Sequence, residues 1–100
     1  MVIIYTQKIE KMKALSGFRL RPLGNDYILI SEGLERIDFN KMITMNGTAA
    51  YLWQQIADGS DFDAQKLADL LTKEYEVSTE QALEDVQQTI TKWRNAGIIE

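Results

Sequence analysis

The spacing of the apolar residues changes within one stretch near the middle of the sequence, from Ile37 to Gly59. Four apolar residues between Ile37 and Met45 fall on odd-numbered positions, as on one face of a β-strand: Ile37, Phe39, Ile43 and Met45, with Lys41 as the polar exception. Further on, apolar residues recur at the spacing of one helix face, at Ala49, Leu52, Trp53 and Ile56. The pattern predicts a strand that runs almost directly into a short helix.

Residues suited to helix ends bracket this first helix, which is predicted from about Thr48 to Ala57. Asn46 and Thr48 each carry a side-chain oxygen that can cap a helix start. Gly59 suits the end of the helix because glycine accepts the left-handed conformation found there.

Two further strands are predicted upstream. Phe18 to Arg21 alternates apolar and basic residues, and Pro22 is typical of a sheet edge or a strand end. Gly24-Asn25 suits a two-residue hairpin turn, and Tyr27 to Ile30 is a run of β-formers. Together with the strand described above, these segments predict a three-stranded antiparallel sheet.

A second helix is predicted to begin after Asp63. Phe62 before this cap and Leu67 after it match a hydrophobic staple, which fixes how the chain enters the helix. The predicted buried stripe is Leu67, Leu70 and Leu71.

A third helix is predicted to begin after Ser78, with Gln81 placed for a capping box. Its predicted buried stripe is Leu83, Val86, Ile90 and Trp93. Gly97 is expected to end the helix, with Ile98 folding back toward Trp93 in a Schellman motif.

The first sixteen residues carry two conflicting patterns. Tyr5, Ile9 and Met12 have helical spacing with lysines between them, which predicts a short amphipathic helix. The run from Val2 to Tyr5 is also consistent with a strand. A basic amphipathic segment can bind membranes, but the apolar face here is short, so no membrane partner is expected.

Composition disfavours several classes of function. The chain has 100 residues, enough for one domain with a modest core, and 45% of them are apolar. Fifteen acidic residues against eleven basic ones give a net charge of −4, which disfavours non-specific nucleic-acid binding. The absence of cysteine and histidine removes disulfides, thiolate or imidazole metal sites and the usual nucleophile–base pairs. No apolar run near the start suits a signal peptide or a membrane span, so we expect a cytoplasmic protein.

No group of residues predicts catalysis, metal binding or cofactor binding. Asp58, Asp61 and Asp63 are close in sequence, but they lack the regular ligands and closing Glu of an EF-hand loop. Roles in a turn and a helix cap explain them. The Asn46 to Thr48 segment could form an anion nest, but helix capping alone explains it. We therefore expect no enzyme activity and no cofactor.

Two kinds of binding function remain open from the residues themselves. Three strands followed by three helices resemble a winged helix-turn-helix domain, so a DNA-binding regulator has to be considered. Acidic residues near the start of the third helix, Glu80, Glu84 and Asp85, would repel phosphate where recognition helices approach DNA, so no nucleic-acid partner is expected. Alternatively, the strand from Phe39 to Met45 is an open edge that pairs with an extended peptide, or with a second copy in a homodimer.

The residues around the first helix also match a known family pattern. The segment from Met45 to Trp53, followed by Ile56 and Asp58-Gly59, resembles the signature of the PqqD family. That family includes pyrroloquinoline quinone biosynthesis protein D and related recognition elements of ribosomally made, post-translationally modified peptides. The resemblance extends from about Gly17 to Glu100, through Phe18 to Arg21, Leu67-Ala68, Leu70-Leu71, Tyr75, Val77, Ala82, Asp85-Val86 and Gly97 to Ile99.

The resemblance implies a winged-helix-like domain that is not an enzyme. Family members capture the leader of a precursor peptide as an added strand between the third strand and the third helix. They then present the precursor to a modifying enzyme, often a radical S-adenosylmethionine enzyme. The resemblance also divides the chain into an N-terminal extension, residues 1–16, and a PqqD-like domain, residues 17–100.

By the same resemblance, the peptide-binding residues lie on the third strand and the third helix. They are Phe39, Lys41, Met42, Ile43, Thr44, Met45, Leu83, Val86, Gln87 and Ile90. Met45 stands where the family often has Leu, which is a change that conserves volume.

Overall fold

Three strands are followed by three helices in the part of the chain that the structure, a computed structural model, describes: residues 11–32 and 42–100. The strands are β1 (Phe18–Leu23), β2 (Asp26–Ser31) and β3 (Ile43–Met45), and the helices are α1 (Gly47–Ile56), α2 (Ala64–Glu74) and α3 (Thr79–Ala96). This order confirms the predicted α+β architecture. The predicted start of the third strand, at Ile37, lies outside the described residues.

In the sheet formed by the described residues, the antiparallel strands lie in the order β1-β2-β3, so β2 is central and the other two strands are its edges. Gly24 lies in the predicted hairpin turn with a φ of 63°, a conformation that favours glycine. The register places Leu20 opposite Leu29, and Leu29 opposite Ile43. Because side chains alternate along a strand, these three residues share the face that packs on the core.

Helix α1 begins one residue earlier than predicted. The Asn46 side-chain oxygen accepts a hydrogen bond from the backbone N–H of Ala49 at 2.8 Å. Asn46 is therefore the cap, Gly47 is the first helical residue, and Thr48 lies inside the first turn.

Helices α2 and α3 begin where the caps predict. The Asp63 carboxylate accepts from the Lys66 N–H at 2.8 Å, and the Ser78 hydroxyl oxygen accepts from the Gln81 N–H at 3.1 Å. Gln81 does not complete the predicted capping box, since its side-chain oxygen accepts no bond from the Ser78 N–H; its amide nitrogen donates to Asp85 at 2.9 Å, one turn along the helix.

Helix α3 ends in the predicted Schellman motif. Gly97 is left-handed, with a φ of 74°, and its N–H donates to the carbonyl of Arg94 at 3.1 Å. The N–H of Ile98 reaches back to the carbonyl of Trp93 at 3.2 Å. Ile98 is fully buried, so the turn returns the chain to the core.

The core joins the sheet to all three helices. Trp53 of α1 makes edge-to-face contacts with Trp93 of α3 at 5.4 Å and with Phe18 of β1 at 6.3 Å, measured between ring centroids. Most residues of the predicted helical stripes are buried: Leu52, Trp53, Ile56, Leu67, Leu71, Val86, Ile90 and Trp93. Ala49, Leu70 and Leu83 are only partly buried against the same core.

An extended segment from Met12 to Leu15, here called the N-terminal clasp, lies between two distant parts of the chain. Met12 and Phe62 exchange backbone hydrogen bonds of 2.7 and 2.9 Å. Lys13 exchanges a similar pair, 2.9 and 2.8 Å, with the last residue of the sequence, and the Leu15 N–H donates to the carbonyl of Ile98 at 2.9 Å. The clasp therefore joins the α1–α2 loop to the segment that follows α3.

The predicted helix containing Met12 is wrong where the structure describes it. Met12 and Ala14 are extended and buried, and they alternate with two exposed lysines, as in a strand. Tyr5 and Ile9, and the alternative strand from Val2 to Tyr5, lie outside the described residues.

Candidate functional site

The direction of backbone groups in the sheet follows from one hydrogen bond at its end. The N–H of Glu32 donates to the carbonyl of Gly17 at 2.7 Å, so these opposite residues form a hydrogen-bonded pair. Hydrogen-bonded and non-hydrogen-bonded pairs alternate along an antiparallel ladder. Even-numbered residues of β2 therefore direct their N–H and C=O groups toward β1, and odd-numbered residues direct theirs toward β3.

Thr44 is consequently the residue of β3 that faces outward. Its neighbours Ile43 and Met45 lie opposite Leu29 and Tyr27, the odd-numbered residues of β2 that bond to β3. The N–H and C=O of Thr44 point to the other side, where no strand pairs with β3 within the described ranges. This edge thus offers a backbone donor and an acceptor to an added strand.

The side chains around this edge differ in their exposure. Met45 is buried, at 3% exposure, and Ile43 is partly buried against the core. Thr44 lies on the opposite face of the sheet and is exposed. Met42, just before the strand, is 51% exposed, which is high for a large apolar side chain. The accessible side chains at this edge are therefore those of Met42, Thr44 and, in part, Ile43, beside the outward-facing backbone of Thr44.

The predicted residues of α3 also divide by exposure. Val86 and Ile90 are buried, at 0% and 7%, in the same core cluster as Met45. Leu83 is partly buried against that core, and Gln87 is exposed. Val86 and Ile90 therefore belong to the core, while Leu83 and Gln87 keep surface that a ligand could contact.

The structure covers eight of the ten predicted site residues, because Phe39 and Lys41 lie outside the described ranges. It brings Met45, Val86 and Ile90 into one core cluster, with Ile43 and Leu83 packed against it. Met42, Thr44 and Gln87 are exposed. The assignment of these residues to peptide binding stays a prediction.

The acidic residues between α1 and α2 have structural partners. The Asp58 carboxylate accepts from the Ser60 N–H at 2.9 Å, and this hydrogen bond is the main reason that the pKa of Asp58 lies below its ordinary value of 3.8. Asp61 forms an exposed ion pair with Lys13 of the clasp at 3.5 Å, and Asp63 caps α2. These contacts agree with the turn and capping roles that the sequence predicts.

The described part of the chain also bears on metal binding and on membrane insertion. No group of acidic residues there could hold a metal ion. Across residues 11–32 and 42–100, no helix combines the length and the apolar character needed to cross a bilayer.

Family comparison agrees with this fold and covers most of the chain. The model of the family described as coenzyme PQQ synthesis protein D (PqqD) matches residues 18–99. This chain belongs to the PqqD family. Its β1 begins where the PqqD match begins, and the match extends through α3 to Ile99. The family expectation drawn from the first helix and its flanks is thus confirmed.

Two solved structures share the fold of this PqqD-family chain. One is TbiB1 in complex with the TbiA(beta) leader peptide, at 12% sequence identity and a TM-score of 0.66, covering 88% of this chain and 94% of that one. The other is lasso peptide synthetase B1 complexed with the leader peptide, at 21% identity and a TM-score of 0.63, covering 91% and 99%. Among curated protein sequences, none is significantly similar to this chain.

Proposed function

We propose that this chain is a non-catalytic adaptor that captures the leader of a ribosomally made precursor peptide by β-strand addition. The observation that carries the proposal is the outward-facing backbone of Thr44 on an edge strand whose inner face packs on the same core as α3. Membership of the PqqD family supports it. Further support comes from the two solved structures with this fold, both of which contain a leader peptide.

In this proposal the leader pairs with the segment from Phe39 to Met45 and lies beside α3. Backbone hydrogen bonds supply affinity, and the partly buried Ile43 and Leu83 receive an apolar side chain of the leader. The exposed Gln87 contributes a polar contact to the leader, and the buried Val86 and Ile90 fix the position of α3.

The adaptor works through proximity and performs no chemistry of its own. Holding the leader raises the effective concentration of the attached core peptide at the modifying enzyme, to the order of millimolar for short flexible linkers. A free leader is expected to be disordered, so the cost of ordering it limits affinity to about micromolar or slightly tighter.

The modifying enzyme that we propose as partner is of the radical S-adenosylmethionine class, acting with the adaptor in the cytoplasm. The resemblance to PqqD proteins motivates this choice. The choice would be supported if the gene for this chain had two neighbours in the genome: a gene for such an enzyme and a short precursor reading frame.

Titration of isotopically labelled chain with a synthetic leader tests the proposal. The peptide is taken from the precursor encoded beside this chain, and a scrambled peptide of the same composition serves as the control. We expect chemical-shift changes at Met42 to Met45 and at Leu83 and Gln87, saturating at micromolar peptide. Absence of shifts along β3 would reject the site, and a DNA mobility shift that persists at moderate salt would favour a winged-helix regulator instead.

A further inference from the structure

The face of the sheet that points away from the core, here called the outer sheet face, has an unusual composition. The register places Leu23 opposite Asp26, Arg21 opposite Ile28 and Arg19 opposite Ile30 on this face. None of these residues belongs to the core or packs against it.

Large apolar side chains are exposed on this face. Of the three large apolar residues most exposed in the described part of the chain, Leu23 and Met42, at 52% and 51%, lie on or beside it. Ile28 and Ile30 are partly buried and form the centre of the face. Apolar centres with arginine nearby are typical of surfaces that bind other proteins.

Glu32 forms ion pairs with both arginines of the face, but it holds Arg21 less closely than Arg19. Arg19 pairs closely with Glu32, at 2.8 Å, whereas the guanidinium of Arg21 is 3.9 Å from the same carboxylate oxygen. The Arg21 side chain is 55% exposed and lies beside Ile28. A partner that covers Ile28 and Ile30 could therefore place a carboxylate against Arg21 and gain a bidentate contact.

The position of the face also indicates which partner it fits. Thr44 belongs to both surfaces, because its side chain lies on the outer sheet face and its backbone faces the open edge. A protein seated on this face would therefore meet a peptide held along β3.

We propose that the outer sheet face docks the modifying enzyme, through an enzyme surface with an apolar centre and a carboxylate aligned with Arg21. The inference rests on the proposed function, since it places the enzyme next to the captured leader. Leader capture and enzyme docking then use different surfaces of one small domain, so they can be separated by substitution.

The test uses the full chain, the synthetic leader and the purified enzyme encoded beside this chain. Arg21→Glu and Leu23→Gln are each expected to weaken enzyme association by at least about tenfold, as central interface contacts do. Ile30→Thr, which keeps a β-branched side chain, should weaken it as well. Leader affinity should change by less than about twofold, because the β3 backbone is untouched.

Matched controls come from the last turn of α2 and the residue that follows the helix. Lys73→Glu makes the same charge change as Arg21→Glu at another exposed site, and Tyr75→Gln removes another exposed apolar side chain, 41% exposed. Neither should alter enzyme association.

The outcomes separate the two proposals. Normal leader binding combined with unchanged enzyme association in all three outer-face variants would overturn the docking surface and leave leader capture intact. No leader binding by the unmodified chain would instead overturn the proposed function. Self-association, or nucleic-acid binding, that these variants abolish would assign the face to that partner and would also overturn enzyme docking.

Discussion

Strands β1 and β3 form the two edges of the sheet that the structure describes, but their outward backbone groups differ. On β1 the outward-facing residues are Phe18, Leu20 and Pro22, and Pro22 has no N–H to donate. On β3 the outward residue Thr44 has both a donor and an acceptor. An incoming strand would therefore lack a donor at Pro22 on β1 but would find both a donor and an acceptor at Thr44 on β3.

Charge adds to the difference between the two edges. Arg19 and Arg21 alternate with the outward-facing residues of β1, and charged side chains on an edge discourage pairing with another chain. The described residues of β3 carry no charge. Whether an edge is protected thus depends on which residues occupy its outward positions, since both strands are apolar on their core face.

The largest effect is expected from removing the residue that supports both edges. Leu29 is fully buried and lies between Leu20 of β1 and Ile43 of β3. Leu29→Ala should lower the free energy of unfolding by about 2–5 kcal/mol, because it leaves a cavity in the centre of the sheet. Thermal and urea unfolding measure the change. The control Ile30→Ala, on the opposite face of β2, should cost much less; equal losses would mean that the two faces of β2 are equally important.

A pair of charge substitutions distinguishes the edges directly. Ile43 and Leu20 are both partly buried and both lie opposite Leu29, so Ile43→Asp and Leu20→Asp should destabilise the fold by similar amounts, about 1–3 kcal/mol. Ile43→Asp alone should weaken leader binding, by about tenfold or more, because a carboxylate would occupy the apolar side of the site. Calorimetric titration on folded samples measures both affinities. Equal loss of affinity in the two variants, or unfolding of Ile43→Asp alone, would argue that Ile43 serves the core and not the peptide.

Placing a proline at the outward position of β3, as Pro22 stands on β1, should have a smaller effect. Thr44→Pro removes the outward N–H without removing a bond to β2, so leader affinity should fall by about two- to tenfold, the value of one hydrogen bond. Thr44→Val retains the N–H and should bind like the unmodified chain. If both variants bind the leader equally well, backbone pairing at Thr44 does not contribute to affinity.

The smallest effect is expected from giving the outward edge of β1 a backbone N–H donor at position 22. Pro22→Thr restores an outward donor, so we expect weak self-association at high concentration, seen as a rise in mass by light scattering. The double variant Pro22→Thr with Thr44→Pro should still self-associate if the contact uses β1. A monomer at every concentration would show that the arginines alone keep this edge closed.

Local signals in the sequence were sufficient for most of the fold. The Gly24-Asn25 turn predicts the β1–β2 hairpin, and the oxygens of Asp63 and Ser78 predict the starts of α2 and α3. Each of these features depends on residues within a few positions of one another. That is why they can be recognised without knowing the rest of the structure.

The clasp could not be predicted in the same way because its partners are far away in sequence. Met12 pairs with Phe62, and Ala14 pairs opposite Ile99, through isolated bridges that leave no repeated pattern. The alternation of Met12 and Ala14 with lysines was a usable strand signal, but the helical spacing to Ile9 competed with it.

The candidate site was only partly accessible from the sequence. Alternation along β3 predicts that Ile43 and Met45 share a face, and the structure agrees. The outward direction of Thr44 required the register with β2 and the Gly17–Glu32 hydrogen bond. In the sequence, only Pro22 bears on this direction. A proline inside a ladder must turn its nitrogen away from the neighbouring strand, so Pro22 indicates which residues of β1 face outward.

The clasp also affects how this domain can be shortened. The family match starts at Phe18, yet a fragment cut there would lose the strand that shields Phe62, Ile98 and Ile99. Those side chains would be exposed to solvent, and the backbone groups that the clasp had paired could form hydrogen bonds with another chain. Trimming to the match would therefore add an exposed apolar surface at Phe62, Ile98 and Ile99 to a protein that is proposed to bind its partners elsewhere.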